Sequence, residues 1–373
     1  MKKIRFDKFV SLNRGFDLPD DKIIEGKYPV IASTSIKAYH NQFKVKAPIV
    51  VTGRSGSLGK VQYVDEDGWP LNTALYAKDF HCNNPKYVYY FLQTMHLEQY
   101  NAGAGVPTLN QNHLHSLKIL IHELPTQQKI ASILSAYDNL IQNYKKQIEA
   151  LQTAASELYK EWFVRFRFPG YQTTKFENGI PEGWNYKRIF ELYNTTSGGT
   201  PARTNSSYYE NGTIPWVKTG ELLDTLITDT EEYITEEGLK NSSAKIIEPG
   251  SLLCSMYASV GKLGINVIPM TCSQATCVFT PKSNISIWYL FFWLMRNKEY
   301  LESISFGAAQ QNISQDIIKK ITVLFPSESV TLSFDEKIKP IYKKIQNLMQ
   351  QISNLTQQRD LLLPRLMSGK LEV

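Results

Sequence analysis

The chain has 373 residues, of which 42% are hydrophobic and 20% charged, with 41 basic and 35 acidic side chains. This is the composition of a globular protein of two or three domains, which excludes wholesale disorder, and a net charge of +6 permits a polyanionic partner without requiring one. There is no signal-peptide pattern, no apolar run long enough to cross a membrane and no CxxC pair among the four cysteines, so we expect a cytoplasmic protein.

In chain order, the first globular region covers residues 1–124 and alternates short apolar segments with turns rich in Gly, Asn, Pro and Ser. Segments 48–52 and 60–64 have the composition of β-strands. The aromatic run 86–95 follows an Asn-Asn-Pro sequence, which is a helix-start signal, and it is longer than a typical strand. We therefore expect this run to be a buried helix in a domain of mixed strands and helices.

A long helix with a short linker after it is predicted over residues 125–170. Its apolar residues recur at alternating steps of four and three from Ile130 to Trp162, which indicates an unbroken heptad seam. At about 1.5 Å per residue, such a seam spans about 50 Å. The seam residues are Leu134, Tyr137, Ile141, Tyr144, Ile148, Leu151 and Leu158.

The second globular region covers residues 171–332, with strands predicted at 251–255 and 262–268 and a buried aromatic helix at 287–295. A second long helix is predicted over residues 333–373. Its seam residues are Ile338, Ile341, Ile345, Leu348, Ile352, Leu355 and Leu362.

Three residues interrupt the pattern of the second long helix. Arg359 occupies a seam position, where a polar residue often sets the register of a helix pair. We expect Pro340 in the first two turns, where proline is tolerated, and we expect Pro364 to kink or end the helix.

The second half of the chain repeats the first. Residues 58–60 match 260–262 at an offset of 202, the aromatic runs match at the same offset, and the helical seams match at 204. Gly26, by contrast, matches Gly212 at an offset of 186. These offsets predict a duplicated chain with one insertion of about sixteen residues within 218–249.

The fold class predicted from these patterns is α+β, with two tandem-duplicated globular domains that each precede a long helix. Burying the two seams against each other gives an antiparallel coiled coil with pseudo-two-fold symmetry, which spaces the two domains. Pairing of the seams with another chain is the alternative. The predicted boundaries are 1–124 and 171–332 for the globular domains, and 125–170 and 333–373 for the helices.

Motifs for catalysis are weak. The chain has no Pro-Pro pair for an amino-methyltransferase site, and its Gly-rich loop lacks the Ser or Thr of a nucleotide-binding P-loop. Asp20, Glu25 and Lys27 imitate a nuclease pattern, but the spacing is short and a polar turn is the simpler interpretation. His113 and His115 have no further ligand at metal-binding spacing, so no metal site is predicted.

Two sets of loops at matched positions carry residues suited to DNA. Lys and Arg bind phosphates or guanine edges, and Asn and Gln bind adenine edges, although an ordinary solvated turn is the alternative for each loop. The candidate residues are Arg54, Ser55, Ser57, Lys60, Asn110 and Gln111 in the first half, and Trp216, Lys218, Thr219, Tyr257, Ser259, Lys262, Gln310, Gln311 and Asn312 in the second.

Charge is spread unevenly along the chain. Residues 1–124, 125–168 and 333–373 carry net charges of +4, +2 and +3, whereas residues 169–332 carry −3. The negative second region argues against nonspecific nucleic-acid binding. Sequence-specific DNA recognition needs only a local basic cluster, so the negative charge of this region is a weaker argument against specific binding.

The chain resembles the specificity subunits of type I restriction-modification systems over essentially its whole length. The likeness is carried by five segments in order on the duplicated frame. They are Leu-Pro-Thr-Gln-Gln-Lys-Ile-Ala (124–131), Ser-Gly-Gly-Thr-Pro (197–201), Gly-Thr-Ile-Pro-Trp-Val-Lys (212–218), Ile-Thr-Glu-Glu-Gly-Leu (234–239) and the C-terminal run 361–371.

The resemblance implies two target-recognition domains that each read half of an asymmetric, interrupted site in double-stranded DNA. It implies two modification subunits, which bind S-adenosylmethionine and methylate adenine, and restriction subunits that use ATP and Mg²⁺. The chain itself would then bind no cofactor and be noncatalytic. One departure is the first domain, which has Arg14-Gly15-Phe16-Asp17 in place of the Gly-Gly-Thr-Pro opening.

Two other functions are left open by the sequence. A scaffold protein whose coiled coil joins other proteins needs no DNA. A nuclease would use Asp20, Glu25 and Lys27.

Overall fold

The computed structural model describes residues 1–103, 105–257, 259–305 and 312–373, which form two compact units. The first unit comprises residues 1–144 and 351–373, and the second comprises residues 145–350. The elements of the first globular domain are β1 (Lys2–Arg5), β2 (Ser11–Arg14), β3 (Tyr28–Ile31), β4 (Ile36–His40), β5 (Ile49–Gly53), β6 (Val61–Val64), β7 (Trp69–Pro70), β8 (Ala74–Asp79), α1 (Pro85–Thr94), α2 (Gln111–Ser116) and β9 (Lys118–Ile121).

The long helix α3 (Leu124–Phe163) leads into the second domain and α9 (Glu328–Met367) leads out of it. The elements between them are β10 (Phe176–Glu177), β11 (Ile180–Pro181), β12 (Asn185–Arg188), α4 (Ile189–Leu192), β13 (Tyr193–Ser197), β14 (Ile214–Val217), β15 (Thr225–Ile227), β16 (Tyr233–Ile234), α5 (Glu236–Lys240), β17 (Leu252–Ser255), β18 (Leu263–Asn266), β19 (Thr271–Cys272), β20 (Thr276–Pro281), α6 (Ile287–Arg296), α7 (Lys298–Ser303), α8 (Gln315–Lys320) and β21 (Thr322–Phe325).

Each domain is closed by a pair formed between an early strand and its last strand. β1 pairs antiparallel with β9, with Lys2 opposite Ile121. In the second domain β12 pairs antiparallel with β21, with Asn185 opposite Phe325. Each domain is thus a self-contained unit whose ends meet directly before its long helix.

The main sheets also repeat. The order β2-β8-β5-β6 in the first domain corresponds to β13-β20-β17-β18 in the second, where β15 is added beside β18. The smaller sheets repeat as β4-β3-β7 and β16-β14-β19, with a parallel pair in each. The duplication predicted from the sequence offsets is therefore confirmed. The single insertion is not, because β16, the counterpart of β4, lies between β15 and α5, so the additional residues fall on both sides of β16.

The aromatic runs form helices, as predicted. Asn84 caps α1 by accepting a hydrogen bond from the backbone N–H of Tyr87, and Pro85 occupies the first turn. Ser286 caps α6 in the same way through the N–H of Tyr289. Both tyrosines are almost fully buried, because each helix lies against the core of its domain. The four strands predicted in the two halves also form, as β5, β6, β17 and β18.

The long helices pair in antiparallel fashion, as predicted. In the first unit, Asp138 of α3 contacts Arg359 near the end of α9. In the second unit, Phe163 at the end of α3 packs against Phe334 near the start of α9, with ring centroids 4.9 Å apart. Within the described residues, no helix has the length and hydropathy needed to cross a membrane.

Of the two prolines of α9, Pro340 lies differently from the prediction. Because α9 begins at Glu328, Pro340 lies in the helix interior rather than in its first turns, and α9 continues past Pro364 to Met367. Both prolines are exposed, so water can satisfy the carbonyl oxygens four residues earlier, at Glu336 and Asp360. The missing N–H groups are tolerated because they lie away from the seam.

The predicted seam residues are all buried or half-buried. In the first unit the seam joins a core with α1 and β9 through Leu134 and Leu366. In the second unit Tyr159, Trp162 and Phe334 extend the seam into an aromatic cluster with α6. The seam therefore packs against its own domain as well as against the opposite helix.

The polar seam residue Arg359 has a specific partner in the first unit. Its guanidinium donates to Asp138 at 2.6 Å, and the other carboxylate oxygen of Asp138 accepts from the Tyr90 hydroxyl at 2.5 Å. Burial and the hydrogen bond to Asp138 raise the pKa of Tyr90 well above its usual value, so the phenol remains a donor at all ordinary pH values. This group links α1, α3 and α9.

We expect Asp138→Ala to loosen the helix pair of the first unit. The side chains of Asp138 and Arg359 are only about one quarter exposed, at 25% and 24%. The change leaves the Tyr90 hydroxyl without its acceptor and leaves Arg359 with Asp360 alone. The expected loss is about 2 kcal/mol, or about a 30-fold faster amide hydrogen exchange of residues 128–144 and 351–366. Mass spectrometry of peptic peptides measures it.

Asp360→Ala is the matched control, because Asp360 also accepts from Arg359, at 2.8 Å, but is 57% exposed. An exposed ion pair contributes below about 1 kcal/mol, so exchange should change at most a few-fold. Equal acceleration in both variants would contradict the assigned role of Asp138.

Candidate nucleic-acid interface

In the first unit, the 54–60 loop after β5 is joined to the segment before α2. The Leu109 N–H donates to the Arg54 carbonyl at 2.8 Å, the Gly56 N–H donates to Pro107 at 2.9 Å, and Ser55 forms a β-bridge with Thr108. Candidate residues 54–57 and 110–111, which lie more than 50 positions apart in the sequence, are therefore brought together on one edge of the domain.

The second unit repeats this junction. The Ile313 N–H donates to the Met256 carbonyl at 2.9 Å, and Tyr257 forms a β-bridge with Asn312. These positions equal those of the first junction shifted by 202 and 204. The duplicated backbone thus presents a loop pair at the same place in both domains. Gln310 and Gln311, which were also predicted to contact DNA, lie outside the described residues.

Glycine and exposure determine what the 54–60 loop offers. Gly56 and Gly59 have φ values of +82° and +88°, which side chains other than glycine rarely adopt, and a Cβ at Gly59 would also meet the Glu98 carboxylate. Ser57 and Lys60 are exposed, and Arg54 is half-buried with Nη1 3.4 Å from the Asn72 carbonyl oxygen. The loop is therefore a bent, cation-bearing edge.

Side chains near α2 are partly used by the fold. Asn110 caps α2, because its Oδ1 accepts from the Asn112 N–H at 2.9 Å. The amide nitrogen of Asn110 has no such role among the described contacts, and its residue is exposed. Gln111 is half-buried beside it.

In the second unit, Tyr257 and Ser259 are exposed, with Tyr257 at 47%. Lys262 is also exposed, but its ammonium group lies 3.4 Å from the Asp224 carboxylate, which Lys298 approaches to 2.6 Å. The second loop is therefore more aromatic and less positive than the first. Two domains with the same backbone junction thus present different side chains.

Trp216 lies in the interior, contrary to the surface position that DNA contact requires. It is 2% exposed, its indole N–H donates to the Gly199 carbonyl at 2.9 Å, and Arg203 lies 4.6 Å from its ring centroid. It was a candidate because it shares the 215–219 segment with Lys218 and Thr219. Its true partner is the Gly-Gly-Thr-Pro turn at 198–201.

Lys218 is held by carboxylates and Thr219 begins a short helical turn next to it. The Lys218 ammonium group donates to Glu232 at 2.9 Å and to Glu231 at 3.2 Å, and these hydrogen bonds raise its pKa. Both glutamates lie within residues 219–248. The positive charge of Lys218 is therefore largely balanced by carboxylates of its own domain.

The segment 219–248, which contains β16 and the additional residues on either side of it, also explains the negative charge of the second domain. Residues 219–248 contain eight acidic and two basic side chains, while the rest of 169–332 contains 11 basic and eight acidic. The remainder of the domain is therefore positive. The insertion boundaries visible in the sequence could have revealed this division.

The nuclease-like and histidine patterns have structural roles. Asp20 accepts from Lys37 at 2.5 Å, and Lys27 lies over the Tyr28 ring. His115 Nε2 accepts from the Leu12 N–H at 3.0 Å, and burial lowers the pKa of His115, which favours the neutral acceptor form. Among the described residues, no group of His, Cys, Asp or Glu is arranged to hold a metal ion.

Comparison with known proteins agrees with this arrangement. A family model described as the type I restriction modification DNA specificity domain matches residues 9–153 and 181–361. The type I restriction enzyme MjaIX specificity subunit of Methanocaldococcus jannaschii is 29% identical over 301 residues, covering 77% of this chain and 69% of the relative. The MjaVIII specificity subunit of the same organism is 24% identical over 377 residues, covering 95% and 88%.

The crystal structure of a type I restriction-modification system S subunit from M. genitalium has the same fold. Its TM-score is 0.64 at 19% identity, with 98% of this chain and 96% of that chain covered. The family model covers most of both globular domains and of both long helices. The chain therefore belongs to the type I restriction-modification DNA specificity family.

Proposed function

We propose that this chain is the sequence-specific DNA-recognition subunit of a type I restriction-modification complex. Each globular domain reads one half of a bipartite, asymmetric site in double-stranded DNA. The observation that carries the proposal is the loop junction formed at Arg54 and Leu109 and again at Met256 and Ile313.

The chemistry of the two junctions supports different half-sites. The first offers Arg54, Lys60 and the amide of Asn110, which suit phosphates, guanine edges and adenine edges. The second offers Tyr257 and Ser259 beside an ion-paired Lys262. Equal scaffolds with unequal side chains read unequal sequences, so the complete site is asymmetric.

The chain is proposed to be noncatalytic and to bind no cofactor. Two modification subunits would supply S-adenosylmethionine and adenine methylation, and restriction subunits would supply ATP- and Mg²⁺-dependent cleavage. The outer faces of α3 and α9, which run 40 residues each, provide the length for docking these partners and for setting the gap between half-sites.

The decisive test is a map of N6-methyladenine. The chain is co-expressed with its modification subunit in a host without adenine methylation, and the modification subunit alone is the control. We expect one interrupted, asymmetric motif with a methylated adenine in each half, because two different domains read the DNA.

A soluble complex that methylates nothing would contradict the proposal and favour a scaffold. Motif-directed cleavage by the chain alone, abolished by Asp20→Asn, would instead favour a nuclease.

Exchange of the second domain should change one half-site only. Residues 185–325 begin and end on the paired strands β12 and β21, so an exchanged segment with these bounds keeps both strands of the pair that closes the domain. Replacing it with the equivalent domain of another family member should give a new second half-site and leave the first unchanged in the methylation map. A change in both halves would contradict independent reading.

Lengthening both helices should widen the gap between the half-sites. Ala155 is fully buried in the core of the second unit, so an insertion there would displace the aromatic cluster. Four residues placed after Tyr144 and four after Gln350, at the division between the two units, avoid that core.

The added rise of about 6 Å corresponds to about one or two base pairs. The methylation map should therefore show a longer gap with both half-sites unchanged. Substituting four residues at the same positions, without lengthening, is the control. New half-site sequences would contradict the role of the helices as a spacer.

A further inference from the structure

The second unit contains an open basic cleft of about 300 Å³ at the edge strand β13. None of its lining residues was a candidate from the sequence. The lining residues are Phe190, Tyr193, Asn194, Thr195, Lys282, Lys319 and Lys320.

Local packing holds the lysines around this cleft. Lys282 follows β20, and its ammonium group donates to the Phe190 carbonyl at 2.6 Å. Lys319 and Lys320 form the last turn of α8, which is anchored by the buried Ile318. Gln315 on α8 also donates to the Thr195 hydroxyl at 2.9 Å, which fixes the helix against β13. The three ammonium groups are thus carried by rigid elements.

The cleft has an excess of positive charge. Lys319 pairs with Asp316 one turn earlier, whereas Lys282 and Lys320 form no ion pair with a carboxylate in the described part of the chain. The residues that the structure does not describe contain no Asp or Glu. No carboxylate lines the cleft either. Three like charges around one opening favour an anionic ligand.

The cleft lies near the loop junction at Tyr257 and Asn312, which is proposed to read DNA. The helix α8 runs from the Tyr257–Asn312 junction to the cleft, so Ser314 and Lys320 are separated by about 9 Å of helix rise. Along one DNA strand, phosphates recur about every 3.4 Å of helix axis. A DNA strand read by the junction and lying along α8 would therefore reach the cleft within about three nucleotides.

From these observations we propose that the Lys282–Lys319–Lys320 cleft binds a backbone phosphate of DNA beside the half-site read by the second domain. The inference rests on the proposed function and adds a contact that positions the DNA without reading its sequence. The cleft is open, with Lys282 and Lys320 exposed and Lys319 half-buried, which suits a phosphodiester of a long polymer better than an enclosed small anion.

The contact belongs to the second domain alone. The positions of the first domain that match Lys282, Lys319 and Lys320 are Phe80, His115 and Ser116. His115 is already committed to the Leu12 N–H. The phosphate site therefore gives the complex an anchor on one side of the bipartite site.

The test uses the complex of the chain with its modification subunit and a duplex carrying the motif mapped for that complex. Lys282→Gln with Lys320→Gln is compared with Lys175→Gln plus Lys240→Gln, which removes the same charge from exposed positions of the same unit. Binding is measured by fluorescence anisotropy between 50 and 200 mM salt.

Loss of one phosphate contact should make the slope of log affinity against log salt shallower by about 0.9. We expect this change in the cleft variant only, with weaker binding and an unchanged methylation motif. Lys320→Arg should keep the slope, because the charge remains.

Wild-type affinity and slope in the cleft variant, or an equal change in the control variant, would overturn the inference while leaving the proposed function intact. Titration of the wild-type complex with inorganic phosphate tests whether the cleft binds a free phosphate ion rather than a phosphate of DNA. Saturable phosphate binding lost in the cleft variant, with an unchanged DNA slope, would assign the cleft to a free anion and overturn the inference. If the wild-type complex does not bind its duplex, the proposed function itself fails.

Discussion

Burial of the heptad seams is the interaction on which the rest of the structure depends. Helices of 40 residues with polar outer faces gain little stability in water from propensity alone, so most of their stability comes from tertiary packing. In each unit the seam meets the opposite helix and the aromatic helix of the adjacent domain through residues such as Leu134 and Phe334. The helices are therefore part of the domain cores, and each domain is fixed to the helix pair by shared apolar surface.

The duplicated backbone separates support from recognition. Paired end strands, matching sheet orders and capped aromatic helices recur in both domains, whereas the side chains of the loops at the two junctions differ in charge and aromatic character. Backbone hydrogen bonds such as those at Arg54 and Met256 hold the loops regardless of their side chains. The side chains at these positions can change without loss of the junction, which is what a family of readers with different DNA targets requires.

Electrostatics distinguishes the faces of the second domain. Carboxylates of the acidic segment 219–248 balance the charges of Lys218 and Arg203, and Asp224 in the same segment pairs with Lys262 and Lys298. The lysines around β13 and α8 are left with a single carboxylate partner among the described residues, Asp316. The negative net charge of this domain therefore conceals a positive edge, and the distribution of charge rather than its sum bears on DNA binding.

The sequence by itself determined the duplication, the extra length of the second half, the antiparallel long helices and the aromatic helices, because each depends on periodicity, spacing or local capping signals. It did not show that the extra residues lie on both sides of β16. The same repeats and the motif order identified the family. Only the tertiary structure decided which polar residues are available. Trp216 is buried against the turn at 198–201, and the charge of Lys218 is balanced by glutamates 13 and 14 residues later. Lys282 and Lys319 line the same cleft although they belong to different parts of the chain. These outcomes depend on contacts between distant segments, and a single sequence carries no local signal for them.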